Sequence, residues 1–516
     1  MVSKLLSVIA LFWLTVGNSL AAPKLLWTQY GQANGVLKVT AHTDGDPLNP
    51  EEATATLLIQ TGVDEWEVAA EAEVEPLTAM AAFRVEGWDN RRAYRYKVLC
   101  DAEELEGTIQ AEPEAEGGVL KLAVMACIKD EFFPQTNAVQ HIIDQDPDLL
   151  FFAGDQFYEA NSGGKVVYTE SEADIPAAMA NVLAKWRKFG LMFKELLKDK
   201  PSILITDDHD VYARDLWGRG GIRMPGDRTT GGYNMEPEWV NLAERIQTWH
   251  LPDAANPGPW GDGIYAYYTS LNYGGVSFAV IEDRKFKSAP AEVLDQPVSD
   301  PEAPKPARKM EVIEWAGFDT GRLDRPDLQM LGEIQEKWLA RWAKEVQKQG
   351  NLAAVLSQSP YANVGNYQPH YGDMDSNGWP QSARNQALNA ILPSQAVMLS
   401  GDIHYGTVFQ NGIKKWGDGP WAFSVPGFTS RNNRLWSPAM EPQGGAVEGV
   451  EHSGNFFDRF GNRLTMVAKA DGYMGYGTVL FDKDKREITL RLHPFGEHRE
   501  PVDNEVPGWP KVIQVE

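Results

Sequence analysis

Residues 148–158, Asp148-Leu-Leu-Phe-Phe-Ala-Gly-Asp-Gln-Phe-Tyr158, join an apolar run to two polar groups at its end. A short run of this kind, with no polar interruption, is typical of a strand buried on both faces. Asp155 follows the run directly, and the phenol of Tyr158 comes three residues later. In open α/β sheets, sites form at the carboxyl ends of strands, where the loops diverge. The stretch therefore predicts an α/β sheet with a functional site at that edge.

Four further apolar runs end in polar side chains that can bind metals. They are 119–126 before Cys127, 202–206 before Asp207-Asp-His-Asp210, 354–356 before Ser357-Gln358, and 396–399 before Gly401-Asp-Ile-His404. Another strand, 276–282, ends in acid and base, and helical patterns cover 136–145, 175–197 and 329–349. Alternating strands and helices predict an α/β core over most of 119–498.

One polar residue after a strand more often caps a turn than performs chemistry, but five such ends in one domain predict a site. Asp402 and His404, two residues apart on an extended segment, could reach two ions a few Å apart, as two-metal hydrolysis requires. The run Asp207–Asp210 holds three carboxylates around one histidine, and a bound cation is the simplest way to relieve their repulsion. The alternative for this run is a solvated acidic turn.

The chain divides into four predicted segments. Residues 1–22 carry Lys4, an apolar run of about 12 residues and small residues before Pro23, which predicts a cleaved signal peptide and a secreted or periplasmic protein. The run is too short to span a bilayer, so no transmembrane anchor is expected after cleavage. Alternating strand patterns predict a β-sandwich over 23–116, and the catalytic domain and a tail follow at 117–498 and 499–516.

The composition limits the possible partners of the protein. Of its 516 residues, 48 are Lys or Arg and 72 are Asp or Glu, which gives a formal charge of -24. Such a chain repels nucleic-acid backbones, and it shows no nucleic-acid-binding module. An anionic substrate would need local cations, either arginines or metals. The two cysteines, Cys100 and Cys127, could form one bridge, or one of them could be a metal ligand or a reactive thiol.

These motifs, taken in order, resemble the alkaline phosphatase D (PhoD-like) family of calcineurin-like metallophosphoesterases, which are related to purple acid phosphatases. The resemblance rests on strand-Gly-Asp-x-x-Tyr, Asp-Asp-His-Asp, Leu-Ser-Gln-Ser-Pro and Ser-Gly-Asp-Ile-His, and it covers residues ~24–498. It implies an αββα sandwich of two sheets after a small all-β sandwich. It also implies a phosphate ester substrate, Fe(III) and one or two Ca²⁺ ions.

The resemblance assigns roles residue by residue. It implies the metal ligands Cys127, Asp155, Tyr158, Asp208, Gln358, Asp402 and His404. It implies that His209 assists the leaving oxygen. Arg214 and Arg219 are candidate phosphate contacts, although a surface ion pair is an equal alternative for such arginines. His370 and Asn234 are further candidates for the pocket, and the sequence leaves open whether they belong to it.

The predicted function is hydrolysis of phosphate monoesters, diesters or both by a metal-activated water. One alternative is a strict phosphodiesterase acting on lipid or teichoic-acid-like polymers. The other is a non-catalytic calcium-dependent surface protein, which the thiolate, phenolate and imidazole ligands disfavour because calcium prefers oxygen ligands.

Overall fold

The structure, a computed structural model, describes residues 23–160, 165–226, 228–302, 309–431, 434–496 and 506–516. The predicted signal peptide, residues 1–22, lies outside the described residues. Of the helices in the described ranges, none has both the length and the apolar character that crossing a membrane requires.

The described chain begins with strands alone and then alternates strands with helices. The strands are β1 Leu25–Ala33, β2 Val36–Thr43, β3 Thr54–Gly62, β4 Glu65–Glu75, β5 Met80–Glu86, β6 Tyr94–Cys100, β7 Glu103–Ile109, β8 Val119–Met125, β9 Leu149–Phe152, β10 Ser202–Leu204, β11 Thr269–Tyr273, β12 Val276–Val280, β13 Val312–Ile313, β14 Leu352–Leu356, β15 Gly372–Asp373, β16 Val397–Ser400, β17 Gly406–Gly412, β18 Trp421–Ser424, β19 Gly454–Phe457, β20 Arg463–Ala470, β21 Gly475–Asp482, β22 Glu487–Pro494 and β23 Lys511–Gln514. The helices are α1 Thr136–Asp144, α2 Ile175–Leu197, α3 Pro237–Thr248, α4 Glu333–Gln349 and α5 Gln381–Ile391. The predicted mixed α/β class is confirmed.

The N-terminal strands form one antiparallel sheet in the order β1-β2-β5-β4-β3-β6-β7. In β3, β6 and β7 every second side chain is buried or nearly so, whereas β1 and β2 are buried at almost every position. Val39, Leu57, Phe83 and Val98 are core residues of this region. Cys100 is buried in the same core and is not bonded to Cys127, so the bridge that the sequence left open is not formed. The predicted domain boundary at residue 116 stays a prediction.

Two larger sheets share one apolar core. The six-stranded sheet has the order β10-β9-β8-β21-β22-β23, and the eight-stranded sheet has the order β11-β12-β14-β16-β18-β17-β20-β19. Leu122 and Phe151 of the first sheet and Phe278, Leu356 and Leu399 of the second belong to this core. Each such side chain contributes roughly 1.5–3 kcal/mol when fully buried.

Helices cover the outer faces of both sheets. Phe152, next to Phe151 on β9, belongs instead to a core shared with α1, α2 and α3. Leu339 of α4 and Leu388 of α5 pack in a third core with Val355 of β14. The run at 149–153 is therefore buried on both faces, as its uninterrupted apolar sequence predicts.

The site is set by the directions of the central strands. β8, β9 and β10 run parallel, and so do β12, β14 and β16. Their carboxyl ends bring the polar loops of both sheets to one edge.

The last strand lies within the predicted tail, residues 499–516. Lys511–Gln514 pairs antiparallel with β22 and forms the edge of the six-stranded sheet. The boundary at residue 498 stays a prediction. Four residues with two charged or polar ends give too short a pattern to predict a strand.

Candidate metal centre

Two groups of donor side chains lie at the shared edge of the large sheets. The ligand atoms of Cys127, Asp155 and His404 lie within 4.8 Å of one another, and so do those of Asp155, Asp208 and His209. Asp155 belongs to both groups, so its carboxylate lies where a ligand bridging two ions has to lie. The structure thus brings together five residues that the sequence predicted for the site.

Two glycines allow these loops to approach. A Cβ at position 401 would lie 2.3 Å from the Cβ of Ala126, next to Cys127. A Cβ at position 154 would lie 2.5 Å from the Cβ of Asp207, and Gly154 has a φ of 95°. Any larger residue at either position would push the loops apart, which explains the Gly-Asp pairs of the motifs.

Four predicted ligands share an uncommon backbone conformation. The φ values of Cys127, Asp155, Asp402 and His404 are 58°, 58°, 63° and 54°. Only a few per cent of non-glycine residues adopt positive φ, at a cost of order 1–3 kcal/mol each. Because this conformation costs free energy, contacts with surrounding residues must hold the four residues in it.

Asp210 is one such contact, and its role differs from the predicted one. Its carboxylate accepts hydrogen bonds from the backbone N–H groups of Asp155 (2.7 Å), Gln156 (3.0 Å) and Asp207 (2.8 Å). Burial raises the pKa of Asp210 to about 7, although these hydrogen bonds favour the ionised form. Within the run 207–210, the Asp210 carboxylate thus holds two backbone segments together inside the protein rather than belonging to an ion site.

Arg284 holds three further carboxylates at the site and was not predicted. Its guanidinium lies 2.7 Å from Asp207, 2.7 Å from Asp375 and 3.0 Å from Asp402, and its side chain is 1% exposed. A fixed fork of five donors suits such a buried arrangement. The only sequence signal was the acid and base at the end of the 276–282 strand.

Asp402 is held in place by protein groups on one oxygen. Its Oδ2 accepts a hydrogen bond from Ser359 (2.6 Å) and faces Arg284. Burial raises the pKa of Asp402 to about 6, and Arg284 opposes the shift. Ser359 and Arg284 therefore orient this carboxylate, as hydrogen-bond partners usually orient a metal ligand.

His209 is paired with Glu159, a residue that the sequence motifs do not predict for the site. The Nδ1 of His209 lies 2.5 Å from the carboxylate of Glu159. Burial lowers the pKa of His209, but Asp208, Asp155 and Glu159 outweigh this and raise it well above its usual range. Glu159 directly follows Tyr158 in the chain, and this position next to the motif was the available signal.

His404 is fixed by two hydroxyl groups. Its Nδ1 lies 2.7 Å from the Oγ of Ser430, and its Nε2 lies 3.1 Å from the hydroxyl of Tyr158. Burial lowers the pKa of His404 well below its usual range, so the ring is neutral. A neutral imidazole beside a phenol can bind a metal.

The donors fit bound cations. Oδ1 of Asp155 is buried and has no hydrogen-bond partner within the described chain. Burial, with the nearby Asp208 and Asp210, raises the pKa of Asp155 well above its usual range, against the effect of His209. Burial and the adjacent carboxylates likewise raise the pKa of the Cys127 thiol. A cation at this point would satisfy the free oxygen and offset the crowded negative charge.

Two predicted residues have other partners in the structure. The amide of Gln358 bonds to the backbone of Asp283 (3.3 Å) and Thr206 (3.1 Å), so its role as a ligand stays a prediction. Arg219 donates to the carbonyl of Thr230 (3.0 Å) and lies 3.4 Å from Glu292. The ion-pair alternative is the one that the structure shows for Arg219.

The remaining candidates are Arg214, His370 and Asn234. Arg214 is exposed, and its charge acts on Glu159. His370 is exposed, and Asn234 accepts a hydrogen bond from the backbone of Gly226 (3.3 Å). Their membership of the site stays a prediction.

Comparisons with known proteins support the phosphatase interpretation. The model of the PhoD-like phosphatase family matches residues 122–432. A solved structure described as the structure of PhoD is 15% identical, with a TM-score of 0.63, and the match covers 97% of this chain and 90% of that one. A dimetal phosphatase from Danio rerio is 11% identical, with a TM-score of 0.39, over 74% of this chain and 98% of that one. No curated protein matches.

Proposed function

The chain belongs to the PhoD-like phosphatase family, as its motifs predicted, and we propose that it is a secreted, metal-dependent hydrolase of phosphate monoesters, diesters or both. The observation that carries this proposal is Asp155, which is common to two donor groups and has a buried, unpartnered oxygen. Secretion is proposed from the signal-like residues 1–22 alone.

We assign the predicted ligands around Asp155 to two kinds of cation. Cys127, Tyr158 and His404 would hold iron with Asp155, because thiolate, phenolate and imidazole suit a transition metal. Asp208, Asp402 and Gln358 would hold calcium through oxygen atoms. When bound, such cations supply Lewis-acid activation of water and neutralise phosphoryl oxygens.

His209 is the proton donor in this proposal. Glu159 occupies its Nδ1, so Nε2 is the nitrogen left for a leaving oxygen. The Glu159 carboxylate raises the pKa of His209 and so favours the protonated ring that a general acid requires. The His209 side chain is partly exposed (20%), so the ring can be reached from solvent.

The first experiment compares two cysteine variants with the wild type. Purified protein is tested for hydrolysis of p-nitrophenyl phosphate and bis(p-nitrophenyl) phosphate before and after chelation, and its metals are measured. We expect chelator-sensitive turnover. Cys127→Ser should lose iron and more than about 100-fold in rate, since even residues that only orient ligands cost 10–100-fold. Cys100→Ser, in the N-terminal core, is the matched control and should retain both.

The result also separates the alternatives. Turnover of the diester alone would favour the strict phosphodiesterase. Calcium binding without turnover of either ester would favour a binding protein and contradict the proposal.

A further inference from the structure

A chain with a formal charge of -24 needs cations that face an anionic substrate. Most basic groups around the site are already engaged: Arg284 with three carboxylates and Arg219 with Glu292. Arg434 and Lys129 differ from these, because each has donor capacity that no described residue uses.

Arg434 lies beside the segment that carries two predicted ligands. A Cβ at Gly365 would lie 3.1 Å from the Cβ of Ile403 and 3.4 Å from the Cδ of Arg434, so the stem of Arg434 runs next to the residue between Asp402 and His404. Ser430, four residues earlier, holds the Nδ1 of His404.

The guanidinium of Arg434 is only partly used. One terminal nitrogen lies 3.3 Å from Asp373, and the guanidinium carbon lies 6.0 Å from the centre of the Tyr367 ring. Nε is buried and has no partner in the described chain. The side chain is 14% exposed. A buried donor without a partner destabilises the protein until an acceptor pairs with it.

Lys129 reaches the same place from the other sheet. It lies two residues after Cys127, and its Nζ sits 5.1 Å from the centre of the Tyr158 ring. Within the described ranges, Nζ makes neither a hydrogen bond nor an ion pair. The hydroxyl of that tyrosine contacts His404 at 3.1 Å. Lys129 and Arg434 both act on the pKa of His404, which burial and these two charges lower.

We propose that Arg434 and Lys129 bind the non-bridging oxygens of the phosphoryl group from the His404 side and favour the dianion of a monoester over the monoanion of a diester. The inference rests on the proposed function. A guanidinium and an ammonium group supply charge-assisted hydrogen bonds to phosphate oxygens. A monoester gains more from two cations because it carries the additional negative charge.

The test measures phosphate affinity as well as turnover. Inorganic phosphate is titrated calorimetrically into metal-loaded protein, and its inhibition constant is measured with p-nitrophenyl phosphate. For Arg434→Gln we expect at least about a tenfold loss of phosphate affinity, since a hydrogen bond to a charged group is worth roughly 1.5–3 kcal/mol. Lys129→Gln should lose less. Both should raise KM more than they lower kcat, and the loss in kcat/KM should be larger for the monoester.

Two controls separate binding from structure. Asp373→Asn removes the ion-pair partner of Arg434 and should leave phosphate affinity unchanged or increased. If the pair were only structural, this variant would lose as much phosphate affinity as Arg434→Gln. Arg219→Gln should have no effect. The inference is wrong if both cation variants keep wild-type phosphate affinity, or if monoester and diester rates fall equally. A wild type without chelator-sensitive turnover would instead overturn the proposed function.

Discussion

Buried polar side chains occur in two regions of the molecule, and they behave differently. At the junction between β1, β2 and the helices, the ring nitrogens of His42 and His250 have partners within the chain. Trp186 donates to His42 at 3.2 Å, and His250 lies 3.1 Å from Gln29 and 3.2 Å from the hydroxyl of Ser202. Burial lowers the pKa of His250 to about 3, so the ring is neutral at physiological pH.

The metal centre shows the opposite pattern. Its buried groups are charged, several carboxylates share Arg284, and Asp155 and Arg434 each keep a buried polar atom without a described partner. A satisfied buried group stabilises the native state, whereas an unsatisfied one costs free energy until a ligand arrives. Unpaired buried atoms occur in both regions, since Trp27 Nε1 and Gln29 Oε1 at the junction also lack a partner within the described chain. The comparison teaches that crowding of buried like charges, rather than burial of polar groups as such, distinguishes the candidate metal centre from the junction.

The largest effect is expected from Asp155→Asn. The rate should fall by more than about 100-fold, because the carboxylate common to both donor groups loses its charge. In chelator at pH 8, however, the variant should be more stable than wild type by about 1 kcal/mol, because burial raises the pKa of Asp155 and the folded protein must hold either a proton or an unpaired charge there. Urea unfolding with and without chelator measures the change in stability, and hydrolysis of p-nitrophenyl phosphate measures the change in rate.

The control for Asp155→Asn is Asp101→Asn, in the exposed turn between β6 and β7. It should change neither the rate nor the stability. If the metal-free Asp155→Asn protein were less stable than wild type, Asp155 would be a structural residue and the contrast between the regions would break.

The second effect concerns the junction. His250→Gln should lower the free energy of unfolding at pH 8 by about 1–3 kcal/mol, because Ser202 and Gln29 lose a buried partner. Below pH 6.5 the unfolded chain binds a proton at His250 that the folded protein excludes, so wild-type stability falls as the pH drops from about 6.5 toward 3. The variant does not lose stability in this way. The difference in free energy of unfolding between wild type and variant should therefore be about 1–2 kcal/mol smaller at pH 5 than at pH 8.

Unfolding curves at both pH values check this, and kcat with bound metal should equal that of wild type. A stability difference that is independent of pH would show that His250 is not excluded from protonation in the native state.

The sequence predicted the donors but not the groups that hold them. Cys127, Asp155 and His404 could be found because each lies two to four residues after the end of a buried strand. Arg284 lies 77 residues from Asp207 in the chain, and only the folded structure shows that the two side chains pair. Asp210 looks equivalent to Asp208 in sequence, and only the course of the loop makes one a clamp and the other a candidate ligand.

The smallest effect is expected from Glu159→Gln, and it sharpens the comparison because Glu159 is a satisfied group that serves an unsatisfied site. Glu159 contributes to the raised pKa of His209, so its loss should lower that pKa and shift the basic limb of the pH–rate profile to lower pH. At the optimum, kcat should fall about tenfold, the size expected for a second-sphere partner, while bound metal is unchanged. His209→Ala should lose more, because it removes the acid itself. A Glu159→Gln profile that overlays the wild-type one would show that His209 does not donate the proton whose transfer limits turnover.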